Sequence, residues 1–280
     1  MQSLMLGLLA ALLWGLHDFT VRKIGPKADA AALYLIVLVV GAALLAPVAI
    51  FAGGWATLTA PVLRLTLAAG LAAALAGYGL YRAFAIGPVR LVAPICGAFP
   101  LLSVAFAVVR GAEAGPLVWL GVAAVVGGIA IVARGEDDGT AGNMRAAVAW
   151  SLLACVSFAA TFGLLQWAAE QGADLPVSLV ARLAACGAML MWVVMQRIDL
   201  KFAFIFLPQL ALMGALDVTA LTAVTIAGGF ARPEFASVAA SIFGIVTIVL
   251  AWRFLAEAMK PLQWFGAVIV FAGIAALGLV

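Results

Sequence analysis

The sequence predicts an all-α membrane protein: ten transmembrane helices arranged as two inverted five-helix repeats. Three observations lead there. First, 67% of the 280 residues are hydrophobic and 10% are charged, with a mean hydropathy of +1.24. A soluble domain keeps about a quarter of its residues charged. Second, apolar runs long enough to cross a bilayer recur from end to end, and about 20 apolar residues span the hydrocarbon as a helix. Strands of a membrane barrel would alternate apolar with polar, and these runs do not. Third, the chain repeats itself about its middle.

Charges, glycines and prolines punctuate the apolar runs and place helices over 3–24, 30–52, 63–86, 91–110, 116–133, 145–168, 176–195, 203–228, 234–255 and 261–279. The N-terminal segment MQSLMLGLLAALLWG has no basic leader and no cleavage signal, so it reads as an uncleaved first helix. Most connections are short. The hydrophilic one, ARGEDDGTAGNMR over 133–145, divides a single 1–280 transmembrane domain into repeats 3–133 and 145–279.

The repeat is visible in the residues. PLVWLGVAAVVGGIA at 116–130 matches PLQWFGAVIVFAGIA at 261–275 without a gap, setting Pro116, Trp119, Gly121 and Gly128 on Pro261, Trp264, Gly266 and Gly273. LAALLWGLHDF overlies LACVSFAATFG, so Trp14 falls on Phe158 and His17 on Thr161, and Glu113 matches Glu257. An odd number of helices per half makes the second half enter the membrane upside down, the inverted repeat of secondary transporters. The glycine-rich faces of helices 5 and 10 are surfaces for close packing, against each other or in a homodimer.

These motifs resemble the drug/metabolite transporter superfamily, EamA-type branch. Trp14-Gly15 stands where that family carries its W-G pair. SVAASIFGIVTIVLAWRFLAEAMKPLQWFG at 237–266 resembles its helix 9–10 signature, with Glu257, Gln263 and Gly266 at the family spacing, and Arg182 resembles the arginine often found in helix 7. The chain departs from the pattern at Gly244, where a proline is usual, and at Leu16-His17-Asp18, where small polar residues are usual; Pro100 is kept. The resemblance implies a central cavity between helices 1, 3, 4, 6, 8 and 9, and both termini inside. Counting Lys and Arg in the connections instead favours both termini outside.

Charged groups at bilayer depth are expensive and are therefore paired or functional. Trp14, His17 and Asp18 share one helical face, opposite Phe158, Thr161 and Phe162 in the repeat. Either Asp18 pairs with Arg22 one turn on, or His17 and Asp18 bind a polar substrate group or a proton; histidine titrates near neutral pH. Tyr78, Tyr81 and Arg82 share a face of helix 3, either as a cavity wall or as an interfacial belt. Arg182 either orients loops or pairs with an acid. Glu113 and Glu257, beside prolines, suit helix-end capping or ion pairing. Asp217, near the middle of helix 8, must meet a hydroxyl, an amide or a cation such as His17 or Arg182.

No P-loop, metal-ligand cluster or nucleophile–base pair is present in the sequence, so no cofactor, no metal and no catalytic residue are expected, and the basic excess carries no nucleic-acid motif. Cys96, Cys155 and Cys186 lie in apolar runs and read as buried thiols. The function expected is secondary transport, by alternating access, of a small organic metabolite such as an amino acid or amphipathic amine. Export across the cell (inner) membrane is the expected direction, with proton coupling through Asp18, His17 or Asp217. The substrate-binding candidates are Trp14, His17, Asp18, Tyr78, Tyr81, Phe99, Phe158, Thr161, Phe162, Asp217 and Phe243. The rival reading is an intramembrane enzyme or lipid-handling protein.

Overall fold

A computed structural model describes residues 2–99, 101–102, 115–133, 144–227, 236, 239–240 and 242–277. All described elements are helical: α1 (Gln2–Ile24), α2 (Ala30–Ala52), α3 (Ala60–Ile86), α4 (Val89–Cys96), α5 (Pro116–Ala133), α6 (Met144–Ala169), α7 (Asp174–Met195), α8 (Leu207–Ala227), α9 (Phe243–Phe254) and α10 (Pro261–Leu277), with short helical turns at Gly25–Lys27, Trp55–Thr57 and Lys201–Phe204. Six helices have the length and hydropathy to cross a membrane, those of α1, α2, α3, α6, α7 and α8, and three shorter apolar helices accompany them. The protein is a multi-pass membrane protein. Pro100, Arg110, Glu113, the 134–143 stretch and Arg232 lie outside the described residues, as do the later part of the expected helix 4 and the start of helix 9.

The expected helix over 203–228 is in fact broken. Lys201–Phe204 forms one turn, Ile205 and Phe206 form another, and α8 begins at Leu207. Pro208 is the cause: it has no N–H to bond the Phe204 carbonyl and its ring would clash there, whereas it suits the first turn of a new helix. Elsewhere the ends are set by caps. Asp29 accepts from the amides of Ala31 and Ala32 to start α2. Glu257, from beyond α9, accepts the Val89 amide at 2.8 Å and so caps α4.

The outer surface is a lipid surface. Leu4, Leu8, Leu12 and Leu16 form an exposed stripe along α1, and Leu63, Leu67, Leu71 and Leu75 form another along α3. Such continuous apolar exposure would be untenable in water. Inside, the packing joins early helices to late ones: α3 with α6 and α7, α8 with α1 and α2, α2 with α7, and α5 with α10. Exchanging each helix for its counterpart five places along leaves this pairing pattern unchanged. The thiols of Cys96 and Cys155 are buried and that of Cys186 half-buried, all three free.

The glycine faces of α5 and α10 close on each other. A Cβ on Gly128 would stand 2.7 Å from the Gly266 carbonyl oxygen, and one on Gly266 would stand 3.0 Å from that of Gly128. Backbone approaches backbone there, as dispersion-driven packing in lipid requires. Gly128, Gly266 and Gly273 thus serve the packing of α5 on α10. Gly127, one residue earlier, faces open space. Gly128→Ala should therefore destabilise the detergent-solubilised protein by about 1–3 kcal/mol, while Gly127→Ala changes it by no more than about 1 kcal/mol. Thermal unfolding of the two variants checks this, and equal effects would contradict the packing.

Candidate functional site

A cavity lies among α1, α2, α3, α6, α7, α8 and the start of α9. It holds 1090 Å³ of non-atom space, part of it continuous with the exterior. Its wall is apolar and aromatic, with Trp14, Tyr34, Tyr81, Phe99, Phe158, Phe162 and Phe243 among the lining residues. Phe99, Phe158 and Phe162 cluster with ring centroids 4.9–6.3 Å apart, and Trp14 meets Phe162 and Phe243 edge-on, each at 6.4 Å.

Two polar networks break this wall. In the first, Arg182 Nη2 on α7 donates to Asp217 Oδ2 on α8 at 2.5 Å, and Trp14 Nε1 on α1 donates to Asp217 Oδ1 at 3.1 Å. Asp217 sits midway along α8, ten residues from each end, or about 15 Å of helix. Its side chain keeps 26% exposure, to the cavity, while that of Arg182 keeps 7%. The guanidinium lies against Gly41 of α2, where any Cβ would collide with Nη1. Nη1 itself is buried and has no hydrogen-bond partner among the described residues.

In the second network, His17 Nδ1 pairs with Asp18 Oδ1 at 2.8 Å and His17 Nε2 with the Tyr81 hydroxyl at 3.1 Å. The Tyr81 ring packs on Tyr34, with centroids 5.1 Å apart. Tyr34 donates its hydroxyl to the Ala73 carbonyl at 3.0 Å and occupies the space that Gly77 leaves by having no side chain. Trp14, His17 and Asp18 fall within two turns of α1 and face one way, so a single stretch of α1 anchors both networks.

The sequence candidates sort as follows. Trp14, His17, Asp18, Tyr81, Phe99, Phe158, Thr161, Phe162, Asp217 and Phe243 all line the cavity. Thr161 uses its hydroxyl on the Ser157 carbonyl, one turn back. Tyr78 is directed elsewhere: it packs on Trp150 and Trp192, and Arg82 also lies over Trp150. Each helix position turns by about 100°, so Tyr81 and Arg82 diverge and the cavity edge passes between them. Asp18 does not pair with Arg22. Instead, Arg22 Nε donates to Glu257 Oε1 at 2.6 Å and Nη1 to the Phe84 carbonyl at 2.8 Å. This pair clamps a layer of fully buried side chains, Val21, Ile24, Phe84 and Val89, across one end of the bundle.

The lining also departs from the expected set of helices. Tyr34, Val37 and Leu38 bring in α2, and Ser178, Ala181, Arg182 and Ala185 bring in α7. Tyr34 was missed although it is the one polar side chain facing inward from a run of aliphatics. Among the described residues, no group of three His, Cys, Asp or Glu could hold a metal ion.

The model of the EamA-like transporter family matches residues 1–134 and again 145–279. The chain belongs to the EamA-like transporter family. It is thus a membrane protein of a transporter family, of the drug/metabolite transporter type, and the family match falls into two stretches on either side of the hydrophilic connection. A crystal structure of a protein 14% identical in sequence superposes with a TM-score of 0.63, covering 99% of this chain and 97% of that one, a likeness that speaks for the fold. No curated protein matches the sequence. In this EamA-like chain the Arg182–Asp217 pair is set where charge is least tolerated. Arg182→Leu leaves Asp217 uncompensated and should cost about 3–5 kcal/mol, whereas Arg182→Leu combined with Asp217→Leu should recover much of that loss. Unfolding in detergent, read as a double-mutant cycle, tests the pairing; simple additivity would refute it.

Proposed function

We propose that this EamA-like protein is a secondary transporter that exports a small organic metabolite, an amino acid or amphipathic amine, across the cell (inner) membrane by alternating access. The observation that carries the reading is the cavity itself: an aromatic chamber at mid-membrane depth, lined from both matched stretches, with charged groups in its wall. Such a chamber suits a solute with an apolar body and a polar head. The clamped layer at Arg22 and Glu257 gives it one closed end, as one of the two states of an alternating-access cycle requires.

In this reading ten helices cross the membrane as two inverted repeats. The support is the twofold family match and the pairing pattern that survives exchange of the halves. Five crossings per half put the 134–143 connection on the opposite side from both ends of the chain. Reporter fusions at Met1, within 134–143 and after Val280 should report one side, the other, and the first again. Agreement of all three would reject the inverted arrangement.

Transport is tested in proteoliposomes with a panel of amino acids and organic amines, with and without an imposed pH gradient. Saturable, protein-dependent movement of at least one solute is expected, and movement of none would end the transporter reading. If protons take part through the second network, His17→Ala flattens the dependence of the transport rate on pH, read between about pH 5.5 and pH 8. An unchanged profile would leave His17 a purely structural hydrogen-bonding group.

A further inference from the structure

The geometry points to Asp18, rather than the deeper Asp217, as the cavity's docking group for a substrate ammonium, and so to aromatic or amphipathic amines as the substrate class. The inference rests on reading the cavity as the substrate site, and not on the direction or energy source of transport. Asp217 is already answered by a cation. One oxygen accepts from Arg182, the other from Trp14, and the guanidinium balances its charge. Asp18 differs. Only its Oδ1 is engaged, by His17, and Oδ2 accepts no hydrogen bond from any described residue, although the side chain is 4% exposed and lines the cavity.

The orientation of the His17 hydrogen bonds follows from its other neighbour. Tyr81 is fully buried, and the partner of its hydroxyl among the described residues is His17 Nε2. A buried hydroxyl hydrogen needs an acceptor. Tyr81 therefore donates to Nε2, which must be unprotonated, and Nδ1–H donates to Asp18. Asp18 thus receives one hydrogen bond from the imidazole, at Oδ1, and Oδ2 is left to the cavity. The other titratable groups that interact with Asp18 are Tyr81 on α3, Cys96 on α4 and Asp217 on α8, and Asp217 is itself compensated by Arg182, with Tyr34 beside that pair. Among them Asp18 alone keeps a carboxylate oxygen with no described hydrogen-bond partner.

A lone carboxylate in a low-dielectric site takes up either a proton or a cation. An ammonium entering the cavity meets Oδ2, while its apolar body lies against the aromatic wall, where ring faces also attract cations. Proton and amine then exclude each other at one group. A carboxylate-bearing solute without an amine meets the same charge as repulsion.

The test uses three probes of one shape, 2-phenylethylamine, 2-phenylethanol and 3-phenylpropionate, with the whole purified protein at neutral pH. Calorimetric binding should rank the amine first, by about tenfold or more over the alcohol, as befits a hydrogen bond to a charged group, with the carboxylate last. Asp18→Asn should erase the amine preference and leave alcohol binding in place, which also shows that the variant is folded. Lowering the pH should weaken amine binding to wild type and leave the alcohol unaffected. Equal binding of amine and alcohol by wild type, or an amine preference kept in Asp18→Asn, overturns the assignment, and the wild-type ranking decides even where the variant does not fold. The ranking is a binding measurement. A protein that shows it but moves no solute in proteoliposomes refutes the transporter reading alone, and one that transports without the ranking refutes only the role of Asp18.

Discussion

A carboxylate halfway through a bilayer must be answered by something, and in this protein the answer to Asp217 organises the bundle. Taking a charge out of water is costly, and attraction between opposite charges in a dry interior offsets that only when geometry and hydrogen bonding are good. Asp217 is held by Arg182 from α7 and Trp14 from α1, and the guanidinium in turn needs the bare backbone of Gly41 on α2. Four helices, drawn from both family-matched stretches, are thereby fixed relative to one another around one pair of charges.

The same α1 stretch that supplies Trp14 supplies His17 and Asp18, which reach to Tyr81 on α3 and through its ring to Tyr34 on α2. The two acids of the cavity are chemically alike and differ by surroundings alone. One is bound by a guanidinium and an indole; the other has an imidazole on one oxygen. That difference lets one group hold the wall while the other remains available for chemistry, much as paired carboxylates in enzyme sites are separated by environment.

Around this centre, contact is made by shape. Lipid chains are as apolar as leucine, so there is little hydrophobic drive between helices, and close backbone approach does the work instead. The α5–α10 contact at Gly128 and Gly266 shows it directly. The leucine stripes of α1 and α3 are left outward, where lipid meets them.

The sequence by itself determined that the chain is helical and membrane-spanning, that it is doubled about its middle, and which residue types stand at bilayer depth. Hydropathy and self-similarity are local properties, and the hydrocarbon permits few architectures. Ten of the eleven candidate residues line the cavity: spacing put them on shared helical faces, and the family resemblance implied which helices surround a cavity. The tertiary structure decided the partners. Arg22 was within one turn of Asp18 yet reached Glu257, 235 residues away; Tyr78 turned from the cavity to Trp150; and Tyr34 and Arg182 brought α2 and α7 into the wall. Inside a membrane both lipid-facing and protein-facing sides of a helix are apolar, so no periodicity marks the inward one. Which polar group answers which is settled only when distant helices meet and each charge takes the nearest compensation the packing leaves open.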